Sequence, residues 1–179
     1  NNSITSVALI LAAANLGVGL VPIQPTLPLS AVHTAFAAAD VKHLIARRVF
    51  LEQCEKFGGL KVEGTRICMD DEYEGMPQLR DAAEMPKERP VVEQVSGNEI
   101  LIVTMTSGST GTPKPIALTQ KNKIDLAMAH IRLFGITKED KILAATPLYH
   151  SLAERLVIIP LLIGGTSILL SRFTPKLWL

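Results

Sequence analysis

The chain has 179 residues, 47% of them apolar, with 18 Lys and Arg against 17 Asp and Glu for a formal charge of +1. This excludes the disordered and collagen-like classes, and a chain of this length can bury about 70% of its unfolded surface around one or two cores. The near-zero balance also removes the electrostatic argument for a nucleic-acid partner or a polybasic membrane contact.

Charge is unevenly spread, because Asn1 to Ala39 contains no Asp, Glu, Lys or Arg. Val7 to Ala14 has the look of a signal-peptide apolar region, but no basic residue precedes it. Ile4 to Ile23 is uncharged over the length a bilayer demands, yet Asn15, Gly17 and Gly19 interrupt it and Pro22, Pro25 and Pro28 close it. The remaining reading is a buried helix and strand. Ser6 to Leu16 is the helix, ended by Gly17, and Val18 to Ile23 the strand. The alternation continues with a helix over Ser30 to Ala39, a strand over Lys42 to Ala46, a helix over Val49 to Phe57 closed by Gly58 and Gly59, and a strand over Thr65 to Met69. Short connections between such elements predict an α/β fold, a mostly parallel sheet flanked by helices. Cys54 and Cys68 have neither a C-x-x-C spacing nor clustered His beside them, so no metal site is assigned and reduced thiols are expected.

From Asp70 to Glu93 eight acids meet only Arg80, Lys87 and Arg89, with Pro77, Pro86 and Pro90 as breakers. The acids lack the alternate spacing of a calcium loop, and the stretch reads as an exposed connection. It divides the chain into a first α/β segment over 1–90, its acidic connection at 70–90, and a second segment over 91–179. Beyond it, the β-prone run Glu99 to Met105 opens into Thr106-Ser-Gly-Ser-Thr-Gly-Thr-Pro-Lys114. Gly108 and Gly111 permit positive φ and close approach of backbone N–H groups to an anion. Ser107, Ser109 and Thr110 add hydroxyl donors, and Lys114 a compact positive charge. The bland alternative is a flexible turn between strands. A Walker loop is ruled out, since Thr112 and not Lys follows Gly111, and Pro113 and Pro115 oppose an immediate helix. Thr119 then caps a helix to Phe134, with Ile124, Ala127, Met128 and Ile131 as its apolar stripe and Gly135 as its end. A strand over Ile142 to Ala145 leads to the turn holding Tyr149 and His150, and Ser151 to Ile163 forms an apolar helix containing Pro160.

These segments resemble the adenylate-forming superfamily of acyl- and aryl-CoA synthetases, adenylation domains and luciferases. Thr106 to Lys114 matches the family loop T-S-G-[ST]-T-G-x-P-K position by position. Leu11 to Pro25 is similar to its helix–strand segment, Thr146-Pro-Leu-Tyr-His-Ser151 to its P-L-[FY]-H segment, and Pro160 to Gly165 to its P-L-L-x-G-[GA]. The resemblance turns the uncharged start into interior scaffold. It implies an acid–thiol ligase of the large N-terminal domain type. A small carboxylic acid attacks the α-phosphate of Mg2+-bound ATP, and the acyl-adenylate is captured by coenzyme A. By the same resemblance, Thr106, Ser107, Gly108, Ser109, Thr110, Gly111 and Lys114 would bind the ATP phosphates. His150 would position the carboxylate or gate its pocket; without the flanking pattern it would read as a surface-loop histidine.

Met105, Pro115 and Ala153 depart from the family's usual Tyr or Phe, Gly and Gly, none of them in the phosphate-contacting set. The family's downstream Y-G-x-[TS]-E and ribose-binding aspartate motifs and its C-terminal catalytic lysine are not found before Leu179. The expectation is therefore a fragment of an N-terminal core domain, inactive alone, in a cytoplasmic enzyme. A noncatalytic nucleotide- or phosphate-binding module, or an adenylation domain loading a carrier-protein thiol, are the alternatives. An exposed apolar start is expected to promote association; the oligomeric state and the identity of the acid are left open.

Overall fold

The computed structural model describes residues 2–56, 58–70, 73–79, 95–107, 113–171 and 174. In chain order the elements are α1 (Ile4–Leu16), α2 (Leu29–Ala38), β1 (Leu44–Ala46), α3 (Arg48–Glu55), β2 (Arg66–Cys68), β3 (Ile100–Ser107), β4 (Pro113–Thr119), α4 (Gln120–Phe134), β5 (Lys141–Ala144), α5 (Ser151–Ile163) and β6 (Thr166–Leu169). Both β1–β2 and β5–β6 pair in parallel, with helices between the strands, which is the α/β architecture expected from the alternation. Among the described residues the strands form three two-stranded sheets.

The chain divides into two compact units. One comprises Asn1–Pro22, Val92–Thr104 and Ile116–Leu179; the other comprises Ile23–Val91 and Met105–Pro115.

In the first unit, α1 starts two residues before the expected Ser6 because the Ser3 hydroxyl accepts from the Ser6 N–H at 3.1 Å and caps the first turn. Gly17 ends the helix with φ 65°, as its position past the last apolar turn predicts. The strand expected over Val18 to Ile23 shrinks to one parallel bridge, Leu20 with Ile102, in which Leu20 N–H donates to Leu101 O and Val103 N–H to Leu20 O. Pro22 has no N–H to extend the ladder. The β5–α5–β6 unit runs in register from Lys141 opposite Thr166 to Ala144 opposite Leu169. Its core is Ala144, Leu148, Ala153 and Val157, and Val7 of α1 packs against it.

The second unit places Val32 and Phe36 of α2, Leu51 and Cys54 of α3, and Leu44 and Cys68 of the β1–β2 sheet in one core. Both cysteines are buried, and burial raises the Cys54 thiol above its ordinary value. Asp70 holds the start of α3, accepting from Arg48 N–H and pairing with Arg47 Nε at 3.0 Å. Pro77 to Leu79 runs beside β2, with Cys68 N–H donating to Pro77 O and Leu79 N–H to Cys68 O. Tyr73 and Gln78 are buried, so the described start of the acidic stretch is anchored and not merely solvated; residues 71–72 and 80–94 lie outside the described residues.

Candidate functional site

The first two phosphate-loop candidates end β3, a strand that Leu20 bridges in parallel at Ile102. Leu101 and Ile102 of β3 are buried, and the strand carries Thr106 and Ser107 as its last two residues. Gly108, Ser109, Thr110 and Gly111 lie outside the described residues. The chain resumes as β4, a strand absent from the sequence reading. Pro113 and Pro115 are two residues apart, so both missing N–H groups fall on one edge of β4 and the other edge pairs with β3. The five residues joining β3 to β4 are too few for a parallel crossover. Lys114 is exposed at the start of β4.

The far ends of these strands are fixed by the turn before β3 and by the first turn of α4. Glu99 Oε1 accepts from the Ser96 N–H and hydroxyl, and backbone N–H donors hold its carboxyl below the ordinary value. Glu99 O accepts from Gln120 N–H and Gly97 O from Lys121 N–H. Thr119 and Asn122 form a reciprocal capping box on α4, and Gly135 ends the helix with φ 62°. Gln120 Nε2 donates to Ala14 O at 2.7 Å, a carbonyl of the last turn of α1 that also accepts from the Gly17 N–H.

His150 lies in the connection leaving the carboxyl end of β5, the end of a parallel strand at which α/β folds bind ligands. Its N–H donates to Pro147 O at 2.9 Å, closing the turn, and its carbonyl accepts from Ala153 N–H, opening α5. His150 is thus the N-cap residue of α5, but its side chain makes no capping bond. The ring is exposed and lies obliquely on Tyr149, with centroids 4.5 Å apart at 53°. A helix N-terminus carries unsatisfied N–H groups and a positive dipole end, an environment suited to a carboxylate or phosphate.

Two features of this site were not legible in the sequence. One is Asn2, whose side-chain amide bonds the turn before His150; its partners are 144 to 168 residues away, so no local pattern marks it. The other is a buried ion pair at the start of α5. Lys123 of α4 donates to Glu154 Oε2 at 2.5 Å and to Ser151 Oγ at 3.2 Å, with Lys123 only 6% and Glu154 1% exposed. Burial pushes the Glu154 carboxyl above its ordinary value, and Lys123 pulls it part of the way back. Lys123 and Glu154 are 31 residues apart, so no local pattern marks the pair.

Among the described residues no three or more His, Cys, Asp or Glu gather to hold a metal ion, and no helix is long and apolar enough to cross a membrane. The hydroxyl, N–H and ammonium donors of Thr106 to Lys114 suit phosphate oxygens, and a Mg2+ ion would arrive on the triphosphate as part of that substrate.

Comparison with known proteins bears on the family and the fold. The chain is 33% identical over 96 residues to human mitochondrial malonate–CoA ligase ACSF3, covering 53% of this chain and 17% of that protein. It is 26% identical over 186 residues to fatty acyl-CoA synthetase A of Dictyostelium discoideum, covering 94% and 27% respectively. The chain thus spans less than a third of the length of these curated relatives. The solved structure of the amide bond synthetase McbA from Marinactinospora thermotolerans superposes with a TM-score of 0.80 at 26% identity, over 98% of this chain and 34% of that one. The family model described as AMP-binding enzyme matches residues 1–179. An α/β chain with a Ser/Thr/Gly-rich segment between β3 and β4, matched along its whole length, belongs to the AMP-binding enzyme family.

Proposed function

We propose that the protein serves ATP-dependent activation of a carboxylic acid to an acyl-adenylate, followed by thioester formation with coenzyme A. The observation that carries this reading is the nine-residue loop Thr106 to Lys114 issuing from the carboxyl end of β3 in a chain of the AMP-binding family. Similarity to malonate–CoA ligase and fatty acyl-CoA synthetase supports a thiol as the acceptor. The compartment that goes with the reading is the cytoplasm, and segments 1–90 and 91–179 belong to one N-terminal domain.

In the first step a carboxylate oxygen bonds to the α-phosphorus as the bond to the bridging oxygen breaks and pyrophosphate leaves. In the second, the thiol sulfur bonds to the acyl carbon, its proton is lost and AMP departs with the C–O bonding pair. Attack of one anion on another is governed by positioning and charge stabilisation. Ser107 to Gly111 enclose the β- and γ-phosphates with N–H and hydroxyl donors, Thr106 opens the loop, and Lys114 offsets the charge that grows on pyrophosphate. His150 meets the carboxylate at the start of α5 and orients it for attack.

The test is a panel of short-chain, long-chain and aryl acids assayed by pyrophosphate release with the intact protein, with coenzyme A, an amine or no acceptor. Acid-dependent release completed by acyl-CoA formation is expected. Nucleotide binding without acid-dependent release would leave a noncatalytic binding module, and product only with the amine would replace the thioester step.

A further inference from the structure

We propose that Asn2 is a positioning residue that sets the turn carrying His150. Its Nδ2 donates to Thr146 O at 2.9 Å and to Leu170 O at 3.0 Å, and its Oδ1 accepts from Leu148 N–H at 2.8 Å. Asn2 is 6% exposed, so these bonds are made in a water-poor setting where each unpaired group is costly. Only a primary amide has two donors and an acceptor at this reach: aspartate cannot donate, and serine cannot span three partners.

The geometry ties together two ends that the β5–β6 ladder and the packing of Leu169 on the Leu148 cluster also join. Thr146 and Leu148 belong to the connection leaving β5, and Leu170, which follows β6, donates its N–H to Ala144 O. Asn2 thus pins the connection against the end of the neighbouring strand, and the next residue after Tyr149 is His150. Asn2 is held in turn from its own side. Ser3 caps α1 immediately after it, and Val7, one turn into the helix, packs on the cluster containing Leu148. The uncharged start of the chain delivers a polar clamp to the carboxyl edge of a parallel sheet at least 144 residues further along the chain.

The kinetic consequence of this role rests on the reading of His150 given under the proposed function. Asn2→Ala, Asn2→Asp and the control Ser3→Ala, which weakens the α1 cap but leaves all three Asn2 bonds, separate positioning from general stability. In Asn2→Ala, exchange of the Leu148 amide should quicken about tenfold, the equivalent of one net buried hydrogen bond, and the His150 ring resonances should shift. Ser3→Ala should do neither. Asn2→Asp keeps the acceptor for Leu148 but loses both donors, so it should shift the His150 resonances while Leu148 stays protected, and it keeps the test open if the alanine variant does not fold. Turnover in pyrophosphate release should fall about tenfold in Asn2→Ala with the KM for ATP unchanged, and the same substitution should cost little further in a His150→Ala background. Unaltered Leu148 exchange and His150 resonances in Asn2→Ala, or an equal further loss of turnover in His150→Ala, would overturn the proposal. Wild-type protein without acid-dependent release would defeat the activation reading alone, and the Leu148 and His150 signals would then decide the role of Asn2.

Discussion

Lys123 and Glu154 show how a single pair can matter through what its removal leaves behind. Both are buried, and among the described residues Glu154 Oε1 has no hydrogen-bond partner, so the pair recovers only part of its desolvation cost. Lys123→Met or Glu154→Leu alone strands the opposite charge and should destabilise the fold by ~3–5 kcal/mol in denaturant titration, whereas the double variant should stay within about 1 kcal/mol of wild type. The pH dependence has a definite sign. Because Glu154 lies above its ordinary value of 4.5 in the fold, the native state holds more protons than the unfolded chain in the window above that value. Wild type should therefore lose stability relative to the double variant as pH rises through the window, and a flat difference across it would contradict the assignment. Lys114 is the residue-scale test of the loop. Removing one charge-assisted contact to phosphate in Lys114→Ala should lower kcat/KM for ATP by about 10- to 100-fold.

The elements follow from local rules wherever the rule is satisfied inside one segment. Gly17 and Gly135 stop α1 and α4 at left-handed positions, and Thr119 starts α4, because caps and glycines act over a few residues. Thr119→Ala should cost ~1 kcal/mol of stability, with an Asn122 amide that exchanges faster. Gly64 is the tighter case: a Cβ there would fall 2.5 Å from the His43 ring and 2.8 Å from Lys42 O, so Gly64→Ala should disrupt the approach to β1 and β2 and lower the thermal midpoint. What the local rules missed has a common cause. The strand expected over Val18 to Ile23 is reduced to a bridge, and β4 forms despite two prolines, since pairing depends on which edge of a distant strand is available. The apolar stripe of α4 is only partly core: Ala127 is buried, whereas Ile124 is 43% exposed. The helix period gives a face but not the neighbour that covers it. In the site, Thr106 to Lys114 stood out from residue type and spacing and His150 only through the family resemblance, whereas Asn2 and the Lys123–Glu154 pair exist through contacts distant in the chain.

At the scale of the molecule, the uncharged start becomes a structural element with two faces. Ile10 and Ala13 of α1 are buried, and Asn2 is locked to the end of the β5–β6 sheet, yet Ile4 is 85% exposed and Leu16 58%. The 179-residue chain should bind a hydrophobic dye and associate with rising concentration, and a strictly monomeric chain that leaves the dye dark would count against this exposure. The His150 turn follows the carboxyl end of β5, a parallel strand, which is the end at which α/β folds bind ligands, and the proposed function assigns acid activation to the chain. The most direct measurement of the resulting claim is pyrophosphate release by the intact protein with ATP across a panel of carboxylic acids. The account predicts release that requires one class of acid and falls in Lys114→Ala; ATP turnover indifferent to every acid, or unchanged by that substitution, would contradict it.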